Sequence, residues 1–142
     1  MSRIKWGHGA FVFLVVTFIA IRGFSAETQR EYETRFQIML QYAVDVNEYV
    51  RRHLQDKKLC SYAQNMTATN ARFAEQMTPP SKFQELHPHF LLVLENVERS
   101  FYYASQGRLE RYRHHQRIVN KELTILEALA DRAGMTPYYE RY

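Results

Sequence analysis

The sequence ETQREYETRFQIMLQYAVDVNEYVRRHLQ, residues 27–55, contains neither glycine nor proline. Its apolar side chains recur at steps of three and four, a spacing that places them on one face of an α-helix. We therefore predict an amphipathic helix of about 27 residues, roughly 40 Å long at 1.5 Å per residue, which buries a narrow stripe against other helices. The stripe consists of Tyr32, Phe36, Met39, Ala43, Val46, Val50 and Leu54.

The apolar pattern changes register after this helix. We interpret residues 56–58 as a turn and residues 60–77 as a second helix. Because no glycine or proline marks the turn, one continuous helix over residues 27–77 is the alternative, and it would reduce the bundle from four helices to three. The second stripe would consist of Leu59, Tyr62, Met66, Phe73 and Met77.

The clearest break in the chain is Thr78-Pro79-Pro80-Ser81. The residue before a proline avoids the helical region, so the second helix should end near Met77, and Thr78 can cap a new helix. Pro88 then either kinks the third helix or marks its beginning. The third stripe is Phe83, Leu86, Phe90, Leu94, Val97, Phe101 and Ala104.

A fourth stripe begins after Gly107 in a different register, which predicts a tight turn and antiparallel neighbouring helices. Gly134 is expected to cap the fourth helix, and Pro137 prevents its continuation. The stripe is Leu109, Tyr112, Gln116, Val119, Leu123, Leu126, Ala130 and Ala133.

These patterns predict an all-α fold. An N-terminal hydrophobic helix, either transmembrane or a signal peptide, occupies residues 1–25, and an antiparallel up-down bundle of four helices occupies residues 26–134. Residues 135–142 form an aromatic tail.

The N-terminal prediction rests on residues 10–21, AFVFLVVTFIAI, which carry no charge. A bilayer core about 30 Å thick requires about 20 apolar residues, whereas a run of about 10 to 14 is more typical of a signal peptide. Extension of the span from Trp6 to Phe24 gives an uncleaved anchor, which we favour because Arg22 and Phe24 weaken the cleavage-site pattern. A buried helix of a soluble domain is the third interpretation. The predicted membrane segment includes Trp6, Phe11, Phe13, Leu14, Phe18 and Ile21.

The basic residues near the amino terminus predict the orientation of this segment. Arg3 and Lys5 precede it and should remain cytoplasmic, so that the rest of the chain is exported. We therefore predict an extracytoplasmic protein with a single-pass anchor and a cytoplasmic N-terminus. After signal cleavage it would instead be periplasmic or secreted.

The net charge gives no support to a nucleic-acid partner. The chain has 19 Lys and Arg against 15 Asp and Glu, and three of the basic residues lie before residue 27, which leaves +1 for residues 27–142. The basic balance is therefore largely a property of the N-terminal segment.

No residue pattern predicts catalysis, and we expect no enzyme, cofactor or metal. The chain lacks the nucleophile elbow, the glycine-rich phosphate loop and the His-Glu-x-x-His pattern. Glu85 with His89 and Glu110 with His114 are four apart and point away from their stripes, unlike the ligands of di-iron bundles. A site made by His53 and His115 stays open.

Tyrosine content and the outer face of the fourth helix indicate a binding role. Ten of the 142 residues are tyrosine, and a ring with a polar tip suits a partly covered position. We predict an accessory or scaffolding subunit that acts through protein-protein contacts or self-association, with the membrane as a further partner. The alternative is a free periplasmic or secreted bundle that binds a small ligand, metal or haem. The candidate interaction surface is Tyr102, Tyr103, Arg113, Arg117 and Lys121.

Overall fold

A computed structural model describes residues 28–135 of the chain. In this part, four helices pack against one another and no strand is present: α1 (Gln29–Arg52), α2 (Lys57–Glu75), α3 (Leu86–Ser105) and α4 (Leu109–Arg132). The predicted all-helical bundle of four helices is confirmed. The predicted membrane segment and most of the predicted aromatic tail lie outside the described residues. No helix within residues 28–135 has the length and apolarity needed to cross a bilayer.

Side-chain caps mark the starts of both α1 and α2. Thr28 and Glu31 form a capping box at the start of α1, in which each side chain accepts from the backbone N–H of the other residue. α1 ends at Arg52, and the carboxylate of Asp56 accepts from the N–H of Leu59 at 2.9 Å to begin α2. One continuous helix over residues 27–77 is therefore wrong. The turn lies slightly earlier than predicted, because Lys57 already belongs to α2.

The proline-rich segment does not begin α3 directly. Thr78 does not cap a helix, and a single 3-10 turn, Ser81–Phe83, follows Pro80 instead. α3 begins only at Leu86, so Pro88 lies in its first turn, where a missing N–H costs no intrahelical hydrogen bond.

Glycine ends both α3 and α4. Gly107 has φ 71° and Gly134 has φ 63°, a conformation that residues with a Cβ rarely adopt. The next N–H reaches back in each case, from Arg108 to the carbonyl of Tyr103 at 2.8 Å and from Met135 to that of Ala130 at 2.9 Å. Both predicted stops are confirmed.

Contacts between helices show the course of the chain. Gln64 of α2 bonds to Glu98 of α3, and His89 of α3 bonds to Glu122 of α4, as expected for antiparallel neighbours. α1 runs parallel to α3. The ring of Phe36 on α1 packs edge-on against the ring of Phe90 on α3, with 4.7 Å between the ring centroids. α3 packs extensively against α2 and α4, whereas α1 packs more lightly across the bundle.

The core differs from the predicted stripes mainly in α2. Every residue of the predicted third stripe is buried, but Tyr62, Met66 and Phe73 of the second stripe are exposed. Small side chains face the core from α2, so this helix lies close to α3 and its large residues point outward. In α1, Leu40 is fully buried, whereas Met39 is only partly so. The buried residues of α2 are Cys60, Ala63, Thr67 and Ala74.

Candidate interaction surfaces

Partly buried polar side chains connect α1, α3 and α4. The carboxamides of Asn47 and Gln116 exchange two hydrogen bonds, from Asn47 Nδ2 to Gln116 Oε1 at 2.9 Å and from Gln116 Nε2 to Asn47 Oδ1 at 2.6 Å. Gln116 Nε2 also donates to Ser100 Oγ at 2.8 Å. Gln116 thus finds its partners inside one bundle, where this pairing fixes the register of the three helices.

Two histidines are buried by the same helices. A hydrogen bond of 2.9 Å joins His87 Nδ1 to the hydroxyl of Tyr32, and another of 2.9 Å joins His115 Nδ1 to Asn96 Oδ1. Burial lowers the pKa of His87. Burial also lowers the pKa of His115, with smaller contributions from the neighbouring charges of His114, Arg99 and Arg111.

A third histidine occupies a place that the sequence analysis did not predict. His89 was expected to point away from its stripe, yet its Nδ1 lies 2.6 Å from the carboxylate of Glu122, which is buried. When His89 is protonated, the two form an ion pair between α3 and α4. Glu122 lies at the edge of the fourth stripe, and its position three residues after Val119 is the only sequence signal for its burial.

The lowered pKa values of His87 and His115 predict a pH-dependent stability. A histidine of the unfolded chain has a pKa of about 6.5, so the unfolded state binds more protons once the pH falls below that value. The contribution of these two histidines to stability is then fully present above about pH 7 and is lost progressively as the pH falls below about 6.5. The charge of Glu95 opposes the lowering of the His115 pKa. We expect a lower melting temperature at about pH 5 than at about pH 7.5.

A variant with both buried histidines replaced, His87→Gln with His115→Gln, should show a weaker dependence of melting temperature on pH. The control is His53→Gln, because this side chain is exposed and, unlike His114, is not among the groups that lower the pKa of His115. If the control flattened the pH profile as much as the buried pair did, the explanation through burial would fail.

The sequence left open a ligand site made by His53 and His115. In the structure the two side chains interact with different residues. His53 is exposed and bonds to the carbonyl of Tyr49 in its own helix, whereas His115 stacks on Tyr103 of α3. Within residues 28–135, no group of three His, Cys, Asp or Glu side chains could hold a metal ion.

A cleft of about 130 Å³ between α1, α3 and α4 is lined in part by Asn47 and Asn120. That volume is below the roughly 300 Å³ typical of a pocket for a drug-sized molecule, whereas more open surface clefts of about 310, 350 and 450 Å³ lie elsewhere on the described chain.

The predicted interaction surface divides into two groups. Tyr102 contacts Tyr103 edge-to-face, and Tyr103 stacks on His115 with 5.4 Å between ring centroids. The other group follows the exposed outer side of α4 at steps of four and consists of Arg113, Arg117 and Lys121. Arg113 forms an ion pair with Glu110.

Exposed apolar side chains are concentrated on α1 and α2, and periodicity did not predict this surface. Ile38, Tyr62 and Phe73 are 65%, 64% and 56% exposed, although each was placed inside or left unassigned by the periodicity. Tyr49 and Met66 are exposed as well. Of the eight large apolar side chains that are exposed in the described chain, these five lie on α1 and α2.

Helical spacing places these residues in two rows, one on each helix. Positions 38, 42 and 49 form a row on α1, and positions 62, 66 and 73 form a row on α2, each with steps of four and seven. Burial raises the pKa of Tyr42, and the charge of Tyr62 adds a smaller electrostatic effect across the two helices. We call this surface the α1/α2 groove, which consists of Ile38, Tyr42, Tyr49, Tyr62, Met66 and Phe73.

The chain matches no protein-family model, no curated protein and no solved structure at a significant level.

Proposed function

We propose that this protein is a membrane-tethered, extracytoplasmic scaffold that binds a partner protein through the α1/α2 groove. The observation that carries the proposal is the row of large apolar side chains left exposed on α2 beside a lightly packed α1. Scattered apolar residues are normal on protein surfaces, but a continuous apolar patch is typical of an interaction site.

The dimensions and chemistry of the groove favour an amphipathic helix as its occupant. From Tyr62 to Phe73 the row spans eleven residues, or about 16 Å, which is three helical turns. A helix that lies in such a groove contacts it through anchors at steps of three and four. The groove residues carry no formal charge, so the complementary face of the partner is apolar.

The position of the proposed anchor indicates where this partner resides. Residues 10–21 precede α1 in the sequence, and α2 runs antiparallel to α1, so the Phe73 end of the groove lies near the start of α1, from which the proposed anchor would extend. A partner held in the same membrane can therefore place a helix in the groove without a long linker. Membrane attachment of both proteins would raise their effective concentration.

Site-specific photocrosslinking in the native membrane tests this proposal. We would place a benzophenone amino acid at Met66 in the full chain and, as a control, at Leu92 on α3. The two side chains are equally exposed, at 38%. The expected result is a crosslink from position 66, but not from position 92, to a different polypeptide.

Three other outcomes would contradict the proposed occupant. A crosslinked product of twice the chain mass would show that a second copy fills the groove. An internal crosslink to residues 10–21 would show that the chain covers its own groove. Equal crosslinking from positions 66 and 92, or none from either, would show that the groove is not a preferred binding surface.

A further inference from the structure

Charge is segregated along the axis of the bundle, although the sequence is nearly neutral overall. Residues 48–60 and 102–117 contain eight Lys and Arg against three acidic residues, a net charge of +5. The rest of the described chain contains seven Lys and Arg against ten acidic residues, a net charge of −3. The composition hides this division, because the two basic ranges are far apart in sequence.

The fold brings the two basic ranges together at one end of the bundle. The ammonium group of Lys57, at the start of α2, lies 3.7 Å from the point where a Cβ on Gly107 would sit. Arg51 and Glu48 of α1 are near enough to Tyr112 on α4 for their charges to affect the pKa of this tyrosine. We call residues 48–60 and 102–117 the basic end.

Each acidic side chain of the basic end already has a partner within the bundle. Glu48 accepts hydrogen bonds from Arg51 and Arg52, and the Arg51 guanidinium lowers the pKa of this carboxyl to about 2. Glu110 pairs with Arg113, and Asp56 caps α2. The remaining cations of the basic end form no ion pair with any residue in 28–135; they are Lys57, Lys58, Arg108, Arg111 and Arg117.

An aromatic stack lies beside these cations. Tyr102 is 44% exposed and contacts Tyr103, which in turn stacks on the buried His115. His114 meets His115 edge-on at 5.2 Å between ring centroids. Tyrosine and arginine together are enriched at protein interfaces and in their hot spots.

We propose that the basic end binds an acidic segment of a protein, in which carboxylates pair with the free cations and an apolar or aromatic side chain packs on Tyr102. The proposal goes beyond the groove and describes a second site. The choice of a protein over an anionic lipid surface rests in part on the proposed anchor. The anchor would enter at the start of α1, and the basic end begins at the end of this 24-residue helix, about 36 Å away.

Binding of a fluorescent acidic peptide to the full chain in uncharged detergent micelles tests the proposal. The peptide alternates glutamate with tyrosine and serine, and a control peptide carries glutamine in place of glutamate. The protein variant combines Lys57→Gln, Arg108→Gln, Arg111→Gln and Arg117→Gln. The matched control removes four cations from the rest of the bundle through Arg72→Gln, Lys82→Gln, Lys121→Gln and Arg132→Gln.

We expect the dissociation constant for the acidic peptide to rise about tenfold in the basic-end variant, since four exposed ion pairs are each modest in strength. It should change less than about twofold in the control variant, and binding should weaken from about 20 mM to about 300 mM salt. An equal loss in both variants would overturn the proposal, as would equal affinity for the glutamine peptide.

Two further measurements distinguish an acidic protein segment from a lipid surface, and the basic end from the α1/α2 groove. Stronger binding to vesicles that contain phosphatidylserine than to the acidic peptide would overturn the protein partner in favour of a lipid surface. A groove variant, Tyr62→Glu with Phe73→Glu, should bind the acidic peptide as the unaltered chain does. Failure at the basic end is therefore distinguishable from failure at the groove.

Discussion

Replacement of Phe90 by alanine should lower the free energy of unfolding by about 3–5 kcal/mol, the range typical of buried phenylalanine. Phe90 has no solvent exposure and contacts the rings of Phe36 and His87 at the centre of the bundle. Its loss removes both apolar contact area and the edge-to-face pair, and it leaves a cavity that α3 cannot close, because this helix is held by all the others. Urea unfolding of the full chain in neutral detergent, followed by circular dichroism, measures the change.

The matched control is Phe73→Ala, because the same atoms are removed from a side chain that is 56% exposed. It should change the free energy of unfolding by no more than about 0.5 kcal/mol. A large loss at position 73, or a small one at position 90, would contradict both the core and the exposure of the α1/α2 groove.

Replacement of Gln116 by leucine should cost about 1–3 kcal/mol, because it leaves the partly buried amide of Asn47 without its partner and deprives Ser100 of a donor. The combined variant Asn47→Leu with Gln116→Leu should cost less than the sum of the two single changes, since both members of the pair are then apolar. A double-mutant cycle by urea unfolding gives the coupling energy.

Additive costs at positions 47 and 116 would show that the two carboxamides act independently. That result would remove the hydrogen-bonded pair as the feature that sets the register of α1 against α4. The variant Gln41→Leu is a suitable control, because the Gln41 side chain bonds only to Asp45 on the same helix. It should leave the coupling between positions 47 and 116 unchanged.

The sequence predicts α3 and α4 well because most of their large apolar residues coincide with their buried faces, although Leu109 of the predicted fourth stripe is exposed. Gly107 and Gly134 end these helices at positions that need a positive φ, and this requirement is visible from residue type alone. α2 breaks the rule that large apolar residues face inward. There the small residues Cys60 and Ala63 are buried, and Phe73 is left outside. Periodicity cannot distinguish a buried small residue from an exposed large one.

Interactions between distant helices were also beyond sequence reasoning. Asn47 and Gln116 are 69 positions apart, and Gln116 could be identified as a polar residue in a stripe without any indication of its partner. His89 was expected in solvent, but it meets Glu122 because α3 and α4 align these two residues at the same level. The segregated charge likewise depends on which loops the fold places at the same end.

Native mass spectrometry of the protein extracted from host membranes in neutral detergent tests the central claim most directly. If the protein is a membrane-tethered scaffold, we expect a chain of 17.0 kDa that retains residues 1–25. We expect to find this chain in a stable complex with a different polypeptide. A chain that begins near residue 26 and is recovered without a partner from the soluble fraction would contradict both the tether and the scaffold.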